Sequence, residues 1–453
     1  MAEALPKASI RDTLAVATEV FLPTVAKGVI LRRPKVVAMA ERLQLDGRAV
    51  RCLQRLRHRY GEGPLMLRVP GRSQAIVLSP EHAQRVLDET PDPFASASTE
   101  KQAALAHFQP HGVLVTNGAV RAERRRVNEA VLETECPRHR FADRFAAVVR
   151  EEVAELVGRA QRALTWELYT QSWFRVVRRV VLGAAARDDT VLTEMLARLR
   201  GDANWAFLHP RRRRLRERFI ERLTAHVRRA EPESLAGLVA SYPASPDADL
   251  IGQMPQWLFA FDAAGIASFR ALAVLSTHPH SAEGAQAEIQ RSSGASAPLL
   301  PFLRACVLES VRLWPTTPMI LRQTLAETQW NGARMPKDTG VLIYVPFFHR
   351  DDTRLPFAHR FAPEQWMGGA ATERSALIPF SAGPAVCAGQ QLVLLLTSLM
   401  LASLLRDREL RLESPTRLNA LRPLPATLNN FSLRFSIRDR TPAFVRSHSP
   451  SAA

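Results

Sequence analysis

The stretch F-S-A-G-P-A-V-C-A-G, Phe380 to Gly389, decides how the rest of this 453-residue chain is read. It carries one cysteine, Cys387, among small and rigid residues, and runs straight into an apolar segment with helical periodicity, Gln390 to Leu405. Gly383 and Gly389 permit tight turns, so that backbone N–H groups can point back at the sulfur. The positive end of the following helix acts in the same sense. Both favour the thiolate, the form of cysteine that binds a metal or attacks carbon. The rigid, apolar approach keeps water from a metal–sulfur bond. By itself, a buried cysteine at a helix start is an ordinary core residue. Cys387 takes its meaning from its companions.

Three further patterns precede it. Ala264-Gly265-Ile266-Ala267-Ser268 lies inside a long apolar helical segment, Asp249 to Ser276. Glu309-Ser310-Val311-Arg312 puts an acid and a base three residues apart on one helix face, followed by Leu313-Trp314-Pro315. Phe361-Ala362-Pro363-Glu364-Gln365-Trp366 stands between that helix and the cysteine. Around them most of the chain has apolar residues every three or four positions. Strand signals are few: Leu65–Arg68 and Ala75–Leu78 flank the turn P-G-R-S, Gly340–Val345 follows M-P-K-D-T, and Asn430–Ile437 alternates. No repeat and no long Gly/Ser linker divides the chain. The expectation is an N-terminal appendage (residues 1–40), one large domain (41–440) that is mainly α with a small β subdomain, and a flexible tail (441–453).

Composition narrows the classes. With 46% hydrophobic and 23% charged residues the chain is ordinary globular material, not a disordered or collagen-like one. Four cysteines (Cys52, Cys136, Cys306, Cys387) form no C-x-x-C pair, which argues against a zinc finger, a cysteine-ligated iron–sulfur cluster and a dithiol redox site. The net charge of +17 comes from 61 lysines and arginines, of which only Lys7, Lys27, Lys35, Lys101 and Lys337 are lysine. No nucleic-acid motif accompanies it, and the densest run, Arg211–Arg214, continues into a helix-periodic segment that reads as a solvated face. Leu14–Ile30 is broken by Glu19, Pro23 and Lys27, and Leu392–Leu405 is short of the roughly 20 residues a membrane span needs. The expectation is therefore a cytoplasmic chain with no transmembrane anchor and no nucleic-acid partner.

In order and spacing the four motifs resemble those of the cytochrome P450 family, with weaker similarity from Glu41 to Arg438. The resemblance implies the P450 fold, with haem between a long distal helix and the proximal cysteine loop and helix. Cys387 would be the thiolate ligand of a b-type haem iron, and Phe380, Gly383 and Gly389 would shape its loop. Glu309 and Arg312 would be structural, tying their helix to the segment at Pro363. The family's usual arginine in that segment is Gln365 here, with Arg360 close enough to stand in. The usual propionate partner two residues before the cysteine is Ala385; Arg121, Arg125 and Arg322 match the remaining partner positions. In the distal helix Ala264 would lie over the iron, Gly265 would permit a local opening, Ala267 occupies the usual acid position and Ser268 the usual alcohol.

The resemblance further implies a pocket lined by Phe94, Phe108, Val113, Leu114, Phe261, Thr317, Met319 and Leu428, with Trp205 and Phe207 in a mobile lid. Such a pocket suits a largely hydrophobic small molecule. The function implied is that of a soluble bacterial-type monooxygenase, an oxidoreductase catalysing hydroxylation or epoxidation with O2. Electrons would come ultimately from NAD(P)H through a ferredoxin or flavodoxin and a reductase, and an arginine-rich surface would steer an acidic carrier. Two alternatives stand beside it: a peroxide-using or rearranging haem-thiolate enzyme, and a catalytically silent partner protein of the same fold.

Overall fold

The structure, a computed structural model, describes residues 3–161, 163–243, 245–368, 377–414 and 417–440. The tail expected at 441–453 lies outside the described residues. Two large hydrophobic cores, and a small third around Leu355, Ala358 and Leu377, lie among the described residues. The larger is helical and centres on the distal helix, Leu250–Leu275, and the proximal helix, Gln390–Leu405. The proximal helix is apolar on nearly every side because it is covered on nearly every side; the distal helix is mostly buried, with Gln256, Asp262 and Arg270 on its half-buried positions. The distal helix packs on the helices Trp166–Leu182, Pro301–Leu313 and Gln390–Leu405; the proximal helix also meets Ala142–Ala160. This explains why the segment 246–275 is long and apolar enough to cross a membrane, yet has 78% of its most apolar window buried within the fold.

The smaller core lies under a five-stranded sheet, ordered Leu65–Val69, Arg72–Ile76, Gly340–Tyr344, Met319–Thr324, Phe94–Ala95. The first pair is the hairpin expected at P-G-R-S, with Val69 opposite Arg72 and Gly71 at φ +68°. Gly340–Tyr344 is buried at every position because strands flank it on both edges. A second small sheet joins Arg408–Ser414, Arg434–Asp439 and Ala163–Thr165, bringing the C-terminal hairpin to the start of the Trp166–Leu182 helix.

The N-terminal segment is not an appendage. Glu3 and Ala4 pair in parallel with Ala333 and Arg334, and the Ala8 N–H donates to the Met66 carbonyl at 2.8 Å. Val16 and Val20 are fully buried in the smaller core. Apolar residues at Val16 and Val20, one helical turn apart, supply the face; Glu19 stays partly exposed, while Lys27 turns inward to pair with Asp46.

Candidate functional site

The cysteine loop is built as the sequence requires, with one difference between its glycines. Gly383 has φ +63°, and a Cβ there would stand 2.3 Å from the Leu87 carbonyl oxygen, so no other residue fits. Gly389 has φ −93°, open to any residue, and its place beside the sulfur rests on its N–H, which bonds the Cys387 sulfur. The Cys387 N–H donates to the Phe380 carbonyl at 2.9 Å, closing the loop, and Gln390 begins the proximal helix three residues on. Burial pushes the Cys387 thiol up; the Gly389 N–H and the Arg125 guanidinium pull it down but do not prevail. The loop alone therefore holds a thiol, and a bound metal would be needed to hold it as thiolate.

Glu309 and Arg312 are completely buried, their fork-to-fork bonds measuring 2.7 and 2.6 Å. Arg312 also donates to the carbonyls of His349, Phe357, Ala358 and Arg360. Glu309 accepts further bonds from the Ala362 N–H and the Trp366 indole N–H, both at 2.9 Å. The arginine replaced by Gln365 is thus compensated by Trp366 and a backbone amide. Arg360 contributes only its carbonyl; the expected side-chain substitution does not occur. His349, which no motif singles out, accepts from the Ile378 N–H at 2.8 Å beside this network. Burial, then Arg312, hold its pKa down at about 3.

The distal helix is one α-helix from Leu250 to Leu275, interrupted in its hydrogen bonding only where Pro255 lacks an N–H, and it shows no opening at Gly265. A Cβ on Gly265 would stand 2.7 Å from Trp173 Cδ1, and the Trp173 indole N–H donates to the Phe261 carbonyl at 2.7 Å. Gly265 is there to let the neighbouring helix approach. Ser268 is fully buried, with its hydroxyl 3.0 and 3.1 Å from the carbonyls of Ala264 and Gly265 and 2.6 Å from the Tyr169 hydroxyl. Carbonyls only accept, so Ser268 donates to them and Tyr169 donates to Ser268. Tyr169, packed against Trp166 and Phe269, does for the serine rotamer what the methyl group does for threonine. Asp262, five residues before Ala267, is paired with Arg200 at 2.5 Å.

The expected wall residues divide. Phe94 belongs to the β core, edge-on to Trp330, and Phe261 packs edge-on to Trp173. A phenylalanine in a half-apolar segment cannot show from sequence which side of its element it will face. Phe108 packs on Phe259 of the distal helix, and the Val113 N–H is tied to Gln253 of the same helix, with Leu114 partly buried beside them. Leu428 is buried, Met319 half-buried and Thr317 exposed where the chain enters the strand Met319–Thr324. Trp205 and Phe207 are exposed, as a lid would be.

Three cations gather at the other edge of this region without an acidic partner among the described residues. Arg322 donates to Thr90 Oγ1 at 2.9 Å and to its own neighbour's carbonyl. Arg121 donates to Ser96 Oγ at 3.3 Å, and Lys101 donates to the Ser96 carbonyl at 2.9 Å. All three are desolvated, and after burial their mutual repulsion lowers the pKa of Lys101 well below the usual lysine value. Glu100 turns away to Arg72. Buried cations need anions, and a group carrying two carboxylates, such as haem, fits this cluster. Lys101 was missed in the sequence, although it is one of only five lysines. Arg125 stands differently from Arg121: its Nε pairs with Glu129 at 2.5 Å and its Nη1 donates to the Val386 carbonyl at 2.6 Å, bracing the cysteine loop.

A mainly helical fold, a cysteine loop before a buried apolar helix, and a cation cluster suited to carboxylates are together what a haem-thiolate site would need. The cytochrome P450 family model matches residues 259–428. Cyclooctat-9-en-7-ol 5-monooxygenase of Streptomyces melanosporofaciens is 34% identical over 146 residues, 30% of this chain and 32% of that protein. Cytochrome P450 76C4 of Arabidopsis thaliana is 35% identical over 146 residues, 30% and 29% of the two chains. The matched stretches thus span about a third of these relatives' length. The crystal structure of a cytochrome P450, CYP102L1, superposes with a TM-score of 0.72 at 19% identity, covering 97% of this chain and all of that one. Over residues 259–428 the chain is similar to the cytochrome P450 family, and its fold is that of a solved cytochrome P450. That similarity implies haem iron with a cysteine thiolate ligand, and Cys387 is the cysteine that stands in the matching motif.

Proposed function

We propose that the chain is a haem-thiolate monooxygenase that inserts one oxygen atom of O2 into a largely hydrophobic small molecule. The observation that carries this reading is the pairing of the Cys387 loop with a cluster of buried, anion-seeking cations. Bound haem would supply O2 activation and two-electron oxidation. Cys387 would hold the iron; Lys101, Arg121 and Arg322 would hold the carboxylates, and Arg125 would fix the loop from outside.

The distal helix holds one proton in a defined place, on Ser268 Oγ, directed at the Ala264 and Gly265 carbonyls. Tyr169 is fully buried between Trp166 and Phe269, so its role would be to fix the serine rather than to resupply it. Ala267 can neither donate nor accept. Protons would therefore reach the site from the substrate side, through water or a substrate hydroxyl. Electrons would come from NAD(P)H through a separate acidic carrier protein and its reductase, drawn to the arginine-rich surface.

The test begins with purified, reduced protein under CO. A red-shifted Soret band lost in Cys387→Ser is the expected result; a band that survives the substitution refutes the ligand assignment. Product formation driven by NADPH and carrier, rather than by peroxide alone, then separates the monooxygenase from the peroxide-using alternative. A protein that binds haem but turns over under neither regime would be the silent partner.

A further inference from the structure

A second site lies behind the C-terminal turn. A small cavity of about 40 Å³ opens between Lys27, Arg32, Asp46, Arg270, Asn430 and the turn at Leu428. Its charges do not balance. Asp46 is taken by Lys27 and by the Thr427 hydroxyl at 2.8 Å. Arg32 and Arg270 spend their bonds on carbonyls alone, Arg32 on Gly28 and Thr316, Arg270 on Trp314 and Leu428. Of the nearby acids, Asp262 is paired with Arg200, and Glu41, which accepts the Asn429 N–H, offsets the charge of Arg270, so the excess is about one cation, with Arg32 left without an acid bound to it.

Two donors at the cavity remain without a partner among the described residues: Arg270 Nε and Asn430 Nδ2, the latter on a side chain only 1% exposed. The Asn430 Oδ1 faces Arg270 at 3.4 Å, which turns its amide nitrogen the other way. A buried donor left unmade costs about 1–3 kcal/mol, so a lining with two of them is matched to something that accepts. Size limits what that is. One water needs about 10–15 Å³ by the same measure, so there is room for about three small heavy groups. A carboxylate has three heavy atoms; a phosphate has five. The remaining lining, Trp314, Pro315, Pro318 and Leu428 among it, is apolar, and Leu428 and Pro318 belong to the chain segments expected to wall the substrate.

We propose that this cavity is a carboxylate site, taking the acid end of an amphipathic substrate whose apolar body passes Leu428 and Pro318. The inference rests on the monooxygenase reading and narrows its substrate class. A carboxylate between Arg270, Arg32 and Asn430 would satisfy both unmade donors and the excess positive charge together.

The test uses the haem-loaded full chain, with dodecanoic acid, its methyl ester and acetate as probes. Binding is followed by equilibrium dialysis, which needs no haem signal, and the CO spectrum is recorded on the same samples. The acid is expected to bind at least about tenfold more tightly than the ester, the size of a charge-assisted hydrogen bond. Asn430→Asp puts an internal carboxylate beside Arg270 and removes a free donor, and is expected to abolish that preference while leaving ester binding intact. Equal binding of acid and ester, or a preference that survives Asn430→Asp, overturns the proposal. Acetate binding as tightly as dodecanoate would make this a free-anion site and overturn the substrate assignment. Loss of the thiolate band refutes the underlying function instead, and the two failures are told apart by the spectrum.

Discussion

Glu309→Gln tests how the fold holds its most buried charge. The carboxylate of Glu309 has four acceptor positions, and four donors fill them: Arg312 Nε at 2.7 Å, Arg312 Nη2 at 2.6 Å, and the N–H groups of Ala362 and Trp366 at 2.9 Å. Glutamine keeps the shape but replaces one oxygen by an N–H donor. Placed at Oε1 it faces Arg312 and Ala362; placed at Oε2 it faces Arg312 and Trp366. Either way two bonds become donor–donor contacts, and Arg312 loses its only counter-charge at full burial. Breaking one side of a buried pair costs about 3–5 kcal/mol, against a typical total of about 5–15. The assay is urea unfolding followed by far-ultraviolet circular dichroism, with Glu413→Gln as the control. Glu413 is paired with Arg434 at the exposed hairpin, where such a pair is worth about 0–1 kcal/mol. Gln365→Arg restores the family's usual residue but finds the acceptors of Glu309 full, so it should gain less than about 1 kcal/mol. A loss below about 1 kcal/mol in Glu309→Gln, or a large gain in Gln365→Arg, refutes the reasoning.

Gly265→Ala should destabilise by about 1–3 kcal/mol, because its Cβ meets a tryptophan that is hydrogen-bonded in place; thermal unfolding that is unchanged would show that Trp173 can yield. His349 is neutral in the fold with its pKa held at about 3, while the unfolded chain takes up the proton near pH 6.5. Its contribution is therefore present above about pH 6.5 and is lost as pH falls toward 3, by about 1.4 kcal/mol per unit. Urea midpoints should drop over that window, and His349→Gln, which can still accept the Ile378 N–H, should flatten the drop. Lys101→Met should act with opposite signs: it relieves an unpaired buried cation in haem-free protein and weakens haem retention by about 1.5–3 kcal/mol in the loaded form. Haem transfer to an apo-globin acceptor and urea unfolding measure the two sides. Tyr169→Phe should release the Ser268 rotamer and raise peroxide release per NADPH consumed, with little change in the rate of electron uptake.

The four motifs made the architecture legible because each pairs a chemical need with a local geometry. Gly383 carries a positive φ against a backbone oxygen, and Glu309–Arg312 is an i,i+3 pair that only burial makes valuable. What stayed hidden was long-range. Tyr169 meets Ser268 across 99 positions of sequence and Trp366 meets Glu309 across 57, contacts that neither periodicity nor spacing encodes. Which neighbours Phe94 and Phe261 pack on was equally hidden, because an aromatic residue serves a core and a pocket equally well. The N-terminal segment misled because its buried face is only a few residues wide.

That segment also sets a schedule. Glu3 and Ala4 can take their places only after the strand Ala333–Met335 exists, some 330 residues later in the chain. At about 5–20 residues per second of synthesis, the first strand waits roughly 15–65 s for its partner. Throughout that interval Val16 and Val20 lack much of the core they will enter, since Trp330, Met335 and the strand Gly340–Tyr344 have yet to emerge. This early-synthesised segment is thus among the last to be buried, and a chaperone or a slow codon run would have most effect there.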